Sequence, residues 1–398
     1  MTRPPFEVAD VIRAAGKGFI QRQRSWLTGL HRKVLSAIVR CRTAALGGHR
    51  DRCSGCGHIV AISYNSCRDR HCPRCLSNAR RRWLTARQKE LLNVPYVHLV
   101  FTLPHRLAPL VLHNKKLLYS LLFRASSATL LETTVDPKHL GAEIGFFSVL
   151  HTWGQNLMHH PHVHCVIPAG GLSPDHKTWI HPKYRFFLPR GVLSKVFRGK
   201  FVHGLKQAYR LGELNLPGEL RPLADEEAFH ALVRDVHRHR WVVHVKRPFA
   251  GPQYVLKYLA HYTHRVAISN QRLISLSEGK VTFRWKDYKD GSKHKLMTLT
   301  VDEFLRRFLL HTLPRHFVRI RFFGFMANRR RTAMLSVCKN LLGNEGEETS
   351  TPADTTETEE PATWLCPLCR GRMIVIERYT AWQLFLQTLM EKNLADTS

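Results

Sequence analysis

The sequence predicts an α+β protein with a mainly antiparallel sheet. Three observations carry this. Short runs rich in β-formers, such as "YVHLVFTL" and "KVTFRWKDY", recur from residue 95 onward. Helical stretches fall between them without a regular strand–helix alternation. The chain has 398 residues, 44% of them hydrophobic. That supplies a sizeable core and roughly two to three domains.

The elements follow in order. Residues 7–40 carry helical periodicity, with Trp26, Leu27, Leu30, Val34, Leu35 and Ile38 near one face and Arg and Lys between them. A cysteine-rich module occupies residues 49–77. The basic segment "NARRRWLTARQKELL" reads as a helix through Trp83, Leu84 and Leu91, with Arg80, Arg81 and Arg82 in its first turns. From residue 95 the texture turns to strands: "YVHLVFTL", "IGFFSVLHTWG", "HVHCVIP", "WVVHVKRP" and "KVTFRWKDY". Helices are expected around 112–132, 192–211 and 251–263. Residues 343–363 are acidic, Thr-rich and nearly free of large apolar groups, the composition of a disordered linker. A "CPLC" tail ends the chain.

The net charge is +31 and the pI about 10.3. An excess of this size speaks of partners rather than fold, and a polyanion is the first candidate. A spanning helix needs about 20 apolar residues, and no run reaches that length. The N-terminus lacks the apolar core of a signal peptide, so a cytoplasmic protein is expected. Ten cysteines in a reducing compartment point to metal rather than disulfides.

Cys53 and Cys56 are separated by fifteen residues from Cys72 and Cys75, the spacing of a zinc ribbon. Each C-x-x-C turn offers two thiolates, and two turns close a tetrahedral structural Zn²⁺ site. Such a site would hold Arg52, Arg68, Arg70 and Arg74 against phosphates. Cys67 and His71 are spare within the module, and Cys366 and Cys369 make only half a second site. Cys41 and Cys338 read as ordinary helix residues, and Cys165 as core.

In "HHPHVHCVIPAGG", His162 and His164 point to one face of a strand, where two imidazoles can hold a divalent ion. Open positions on that ion favour Mg²⁺ or Mn²⁺ acting as a Lewis acid on a phosphodiester. Gly170 and Gly171 would let the chain leave the strand close to bound DNA. Neither a G-x-S-x-G elbow nor a Walker-type loop is present. Tyr254, Tyr258 and Tyr262 recur every four residues, with Lys257, His261, His264 and Arg265 around them. One reading is an aromatic stripe packed on the sheet. The other is nucleophilic attack on a metal-activated phosphate, with the nearby cations neutralising the transition state.

Taken together, these motifs resemble a known family. "HPHVHCVIPAGGL" is similar to the histidine–hydrophobic–histidine (HUH) motif of single-strand endonucleases, and "FTLPH" to the strand beside it. "CRDRHCPRC", "YLAHYTHRVAISN" and the Arg-rich "RIRFFGFMANRRR" resemble the rolling-circle transposases of the insertion sequence 91 family. The resemblance implies a five-stranded antiparallel HUH sheet flanked by helices, preceded by a helical zinc-ribbon domain. It implies nicking and rejoining of single DNA strands through a 5′-phosphotyrosine, on single-stranded or hairpin element ends and target DNA. It assigns the metal pair to His162 and His164 and the tyrosine pair to Tyr258 and Tyr262. Gln155 and His160 are candidates for a third ligand. Arg80, Arg81, Arg82, Lys257, Arg265, Arg329, Arg330 and Arg331 are the expected DNA contacts. The implied domains are 1–94 (zinc and DNA binding), 95–335 (nuclease), 336–363 (linker) and 364–398 (tail), in a bacterial, nucleoid-associated protein. Rival readings are a replication initiator or relaxase-type nickase, a non-catalytic zinc-ribbon regulator and a carboxylate-triad transposase.

Overall fold

Helices α1 (Val8–Arg22) and α2 (Gly29–Arg40) divide the first periodic stretch. Thr28 caps α2, its hydroxyl accepting the His31 N–H at 3.3 Å, and Val34, Leu35 and Ile38 form the buried stripe. The structure is a computed structural model describing residues 4–75, 83–182, 188–249, 255, 267–288, 290–343 and 365–395. Strands β1 (Gly48–Cys53) and β2 (Ser63–Tyr64) follow, then a helix α3 over 83–88. Strand β3 (Tyr96–Thr102) leads into α4 (Ala108–His113) and α5 (Lys115–Val135). Next come β4 (Gly145–Trp153), β5 (His159–Pro168) and the short pair β6 (Gly171–Leu172) and β7 (Trp179–Ile180). Helices α6 (Arg190–Arg210) and α7 (Glu226–Arg238) precede β8 (Val243–Phe249). A three-stranded meander, β9 (Leu273–Ser277), β10 (Lys280–Asp287) and β11 (Lys293–Thr300), ends in α8 (Val301–Leu310). Strand β12 (Ile320–Gly324), α9 (Arg331–Leu341), β13 (Met373–Tyr379) and α10 (Ala381–Ala395) complete the described chain. No described helix is long and apolar enough to cross a membrane.

The central sheet has five antiparallel strands in the order β12-β4-β5-β3-β8. The expected strand "KVTFRWKDY" is a strand, but as β10 it lies in the separate meander. The fifth strand is instead β12, from the Arg-rich "RIRFFGF" stretch, where arginines mask the alternation of a strand. It ends at Gly324, whose φ of +60° and whose contact with the Ile144 carbonyl exclude any Cβ.

Strand alternation splits the sheet into two faces. One face, with Leu99, Phe101, Leu150, Val163 and Cys165, is covered by α4–α7 through residues such as Phe123, Phe197, Phe201 and Phe229. Phe197 lies against Phe101, Phe201 and Trp241 with ring centroids 5.0–6.3 Å apart, so this layer interlocks aromatics across elements. The other face carries Tyr96, Phe147, Val149 and Val166, in one cluster with Val255, Phe325 and the α9 residues Leu335 and Cys338. A third cluster joins α1, α2, Cys41 and Cys72 to Phe283 of β10 and to Phe304 and Phe308 of α8.

The glycines after β5 serve the fold itself. A Cβ on Gly170 would overlap the Trp179 ring and the Ile180 carbonyl, and one on Gly171 would overlap the Glu143 backbone. Their closeness is to β7 and to residue 143.

Candidate metal centres

The histidine centre follows from register. In β4 and β5, His151 lies opposite His162 and Val149 opposite His164, so all three imidazoles share the face turned away from α4–α7. Ring centroids stand 5.5 Å apart for His151–His162, 4.3 Å for His151–His164 and 4.8 Å for His162–His164. One ring nitrogen from each lies within 4.8 Å of the others. His151 and His164 are buried, and His162 is half-buried at the mouth.

Surrounding groups hold these rings in the ligating form. His162 Nδ1 lies 2.6 Å from the His160 carbonyl oxygen. A carbonyl only accepts, so Nδ1 carries the proton and Nε2 presents its lone pair. Burial lowers the His162 pKa to about 3, which keeps the ring neutral as ligation requires. His164 Nδ1 is 2.8 Å from Nε2 of the fully buried His98, with the two rings stacked. A second hydrogen bond of this kind orients a ligand ring and raises its basicity. Trp153 stacks on His151 at 4.5 Å.

Three neutral nitrogens this close together could hold one divalent ion. His151 and His98 were absent from the sequence reading. Their signal was faint: one histidine each in the strands "IGFFSVLHTWG" and "YVHLVFTL", meaningful only once those strands flank β5. The expected ligand His160 contributes its carbonyl to His162, and Gln155, in the turn between β4 and β5, accepts Arg272 at its backbone oxygen.

The cysteines require a correction. Cys53 and Cys56 do not share a site with Cys72 and Cys75. Cys72 and Cys75 group with Cys67 and with Cys41, the residue that ends α2, whereas Cys53 and Cys56 face Cys366 and Cys369. The reason is the reach of β1. Its six residues span about 17 Å at roughly 3.3 Å per residue. Cys53 stands at the far end, while the pairing of Gly48 with Tyr64 keeps the chain leading to Cys67 at the near end. A tetrahedral ion cannot bridge that length.

The Cys41–Cys75 and Cys67–Cys75 sulfurs stand 3.1 and 3.5 Å apart. Ligands about 2.3 Å from a tetrahedral zinc lie about 3.8 Å from one another, so the group fits that ion after slight expansion. Contacts among the four sulfurs hold Cys41, at about 7, and Cys75 below the usual thiol range and push Cys67 and Cys72 above it. The spare His71 is not a ligand: its Nδ1 bonds Asp69 and its Nε2 accepts the Leu313 N–H at 3.1 Å. Arg70 donates to the carbonyls of Pro314 and Phe317. The cysteine loop is thereby docked on the segment entering β12.

Of the expected DNA contacts, Arg329 is exposed, Arg330 forms a two-pronged pair with Glu143, and Arg331 meets Glu90 and stacks on Phe322. Arg80, Arg81, Arg82, Tyr254, Lys257, Tyr258, Tyr262 and Arg265 lie outside the described residues.

Known protein families match both halves of this sequence. A family model described as "Transposase zinc-binding domain" matches residues 11–103, and one described as "Putative transposase" matches residues 145–333. The protein is thus of the DNA transposase class. It is 51% identical over 385 residues to "Putative transposase y4qJ" of Sinorhizobium fredii, covering 95% of this chain and 96% of that protein. It is 29% identical over 369 residues to "Transposase for insertion sequence element IS801" of Pseudomonas savastanoi pv. phaseolicola, covering 88% and 83% of the two chains. The chain belongs to the insertion sequence 91 family of transposases, with an N-terminal zinc-binding domain. No solved structure matches it.

Proposed function

We propose that this transposase cuts and rejoins single DNA strands through a covalent tyrosine–DNA ester, at a divalent ion held by His151, His162 and His164. The observation that carries this reading is the three-imidazole centre on an antiparallel sheet. Val255, buried in the hydrophobic cluster of that same face, stands three residues before Tyr258 in sequence.

A bound divalent ion would polarise a phosphate oxygen and make the phosphorus more electrophilic. The chain's own groups do the rest. His98 orients His164, and the His160 carbonyl fixes the tautomer of His162. Oη of Tyr258 or Tyr262 loses its proton and attacks phosphorus. The bond to the 3′ oxygen breaks, and that oxygen takes a proton. A 5′-phosphotyrosine and a free 3′-OH result. The ester keeps the bond's reactivity, so a second 3′-OH can reverse the step without ATP. Lys257 and Arg265 neighbour the tyrosines in sequence and would offset the developing negative charge. Three imidazoles favour Mn²⁺ over Mg²⁺, which prefers oxygen donors. The excess positive charge suits single-stranded or hairpin element ends as substrate.

The test uses oligonucleotides from an element end, labelled at either terminus, incubated with the protein and Mn²⁺ or Mg²⁺. A denaturant-resistant adduct that keeps the label on the 3′ side of the nick is expected. His162→Ala and the double variant Tyr258→Phe/Tyr262→Phe should abolish it. Adduct formation at the normal rate by His162→Ala would remove the metal assignment, and loss in Tyr254→Phe alone would move the nucleophile.

A further inference from the structure

We propose that Cys53, Cys56, Cys366 and Cys369 hold a second structural zinc ion, which joins the two ends of the chain into one split zinc ribbon.

The argument begins with sulfur geometry. The Cys53 and Cys369 Sγ atoms stand 3.4 Å apart, and those of Cys56 and Cys366 3.6 Å apart, though the partners are 316 and 310 residues apart in sequence. All four sulfurs lie within 4.8 Å of one another. The edge of a zinc tetrathiolate is about 3.8 Å, so the four positions bracket one ion. A disulfide would leave two sulfurs unused, and the near-equal contacts across both pairs do not single one out.

The surrounding backbone points to the same ligand. The two C-x-x-C turns are alike in construction. The Gly55 and Cys56 N–H groups lie 3.4 and 3.5 Å from Cys53 Sγ, and the Gly371 N–H lies 3.4 Å from Cys369 Sγ. Amide donors aimed at sulfur stabilise thiolates, the form that binds metal. Each turn is closed by a bridge, Arg52 with Ile59 and Leu365 with Arg372. Gly371 lies close against the sulfurs: a Cβ there would crowd Cys53 Sγ at 3.0 Å and Cys369 Sγ at 3.2 Å. The hairpins are further joined by β1 and β13, paired from Gly48–Tyr379 to Cys53–Met373. The zinc-binding family match ends at residue 103, so it contains only the first of these two turns.

This assignment gives the "CPLC" tail a use. An ion shared by both turns ties residues 365–395 to the N-terminal module across the acidic segment that separates them in sequence. It closes a loop of more than 300 residues, which restricts the unfolded chain most where the loop is long. It is independent of the tyrosine chemistry.

Native mass spectrometry of the full chain under reducing conditions tests it. In a His162→Ala background, which takes the imidazole centre out of the count, the expected result is two zinc ions per chain, one per cysteine group, falling to one when Cys366→Ser/Cys369→Ser or Cys53→Ser/Cys56→Ser is added. Wild-type protein cleaved by protease between residues 344 and 364 should keep its C-terminal fragment until a chelator is added, a readout that needs no variant. A single zinc in that background overturns the proposal, as do two zincs once Cys366→Ser/Cys369→Ser is added or a Cys53–Cys369 disulfide in the reduced protein.

Discussion

His98→Phe tests the hydrogen bond that orients His164, a proposed metal ligand. His98 is fully buried, its Nε2 is 2.8 Å from His164 Nδ1, and the two rings stack at 5.0 Å with 9° between their planes. Phenylalanine keeps the ring, the stacking and the apolar contacts but removes the partner atom. Two costs follow. Loss of an outer hydrogen bond to a metal ligand typically weakens metal binding about 10- to 100-fold. At room temperature that corresponds to about 1.4–2.7 kcal/mol. A buried nitrogen left unsatisfied costs about 1–3 kcal/mol of fold stability. The two are measured separately. Mn²⁺ affinity is read by electron paramagnetic resonance titration, and stability by urea unfolding without metal. The adduct rate should fall at low Mn²⁺ and recover at saturating Mn²⁺, because the three nitrogens remain. An unchanged Mn²⁺ affinity in folded His98→Phe would refute the reasoning, since His98 would then only fill space.

Two further outcomes concern the fold. Burial lowers the pKa of His159 to about 2 and that of His311 to about 3. The folded protein thus binds fewer protons than the unfolded chain below about pH 6.5. Stability should be full above that value and fall continuously towards pH 3, by up to about 1.4 kcal/mol per pH unit for each histidine. Urea midpoints at pH 7.5 and 5 check this, and equal values would refute it. Phe197→Ala empties the centre of the aromatic layer among Phe101, Phe201 and Trp241, and should cost about 3–5 kcal/mol in urea unfolding.

Much was legible because it rests on local periodicity. The strands 96–102, 145–153 and 159–168 declare themselves by alternation, and Cys165 by its parity opposite His164. α5 and α6 lie within a few residues of the expected helices. β12 was hidden because arginines interrupt its apolar positions, and the sheet to which β10 belongs was not legible because a strand's pattern does not name its neighbours.

The ligand sets divide in the same way. His162 and His164 are two residues apart, and the pleat alone puts them on one face, so the sequence by itself determined that pair. It also determined the C-x-x-C turns, each a local loop, and the charge that calls for a polyanion. Tertiary structure decided which turn meets which. Cys41 joins Cys72 only because α2 packs beside the cysteine loop, and Cys369 joins Cys53 only because β13 pairs with β1. His151 reaches His162 through strand register. Long-range pairing is a competition among all surfaces of the chain, and no window of sequence contains both partners.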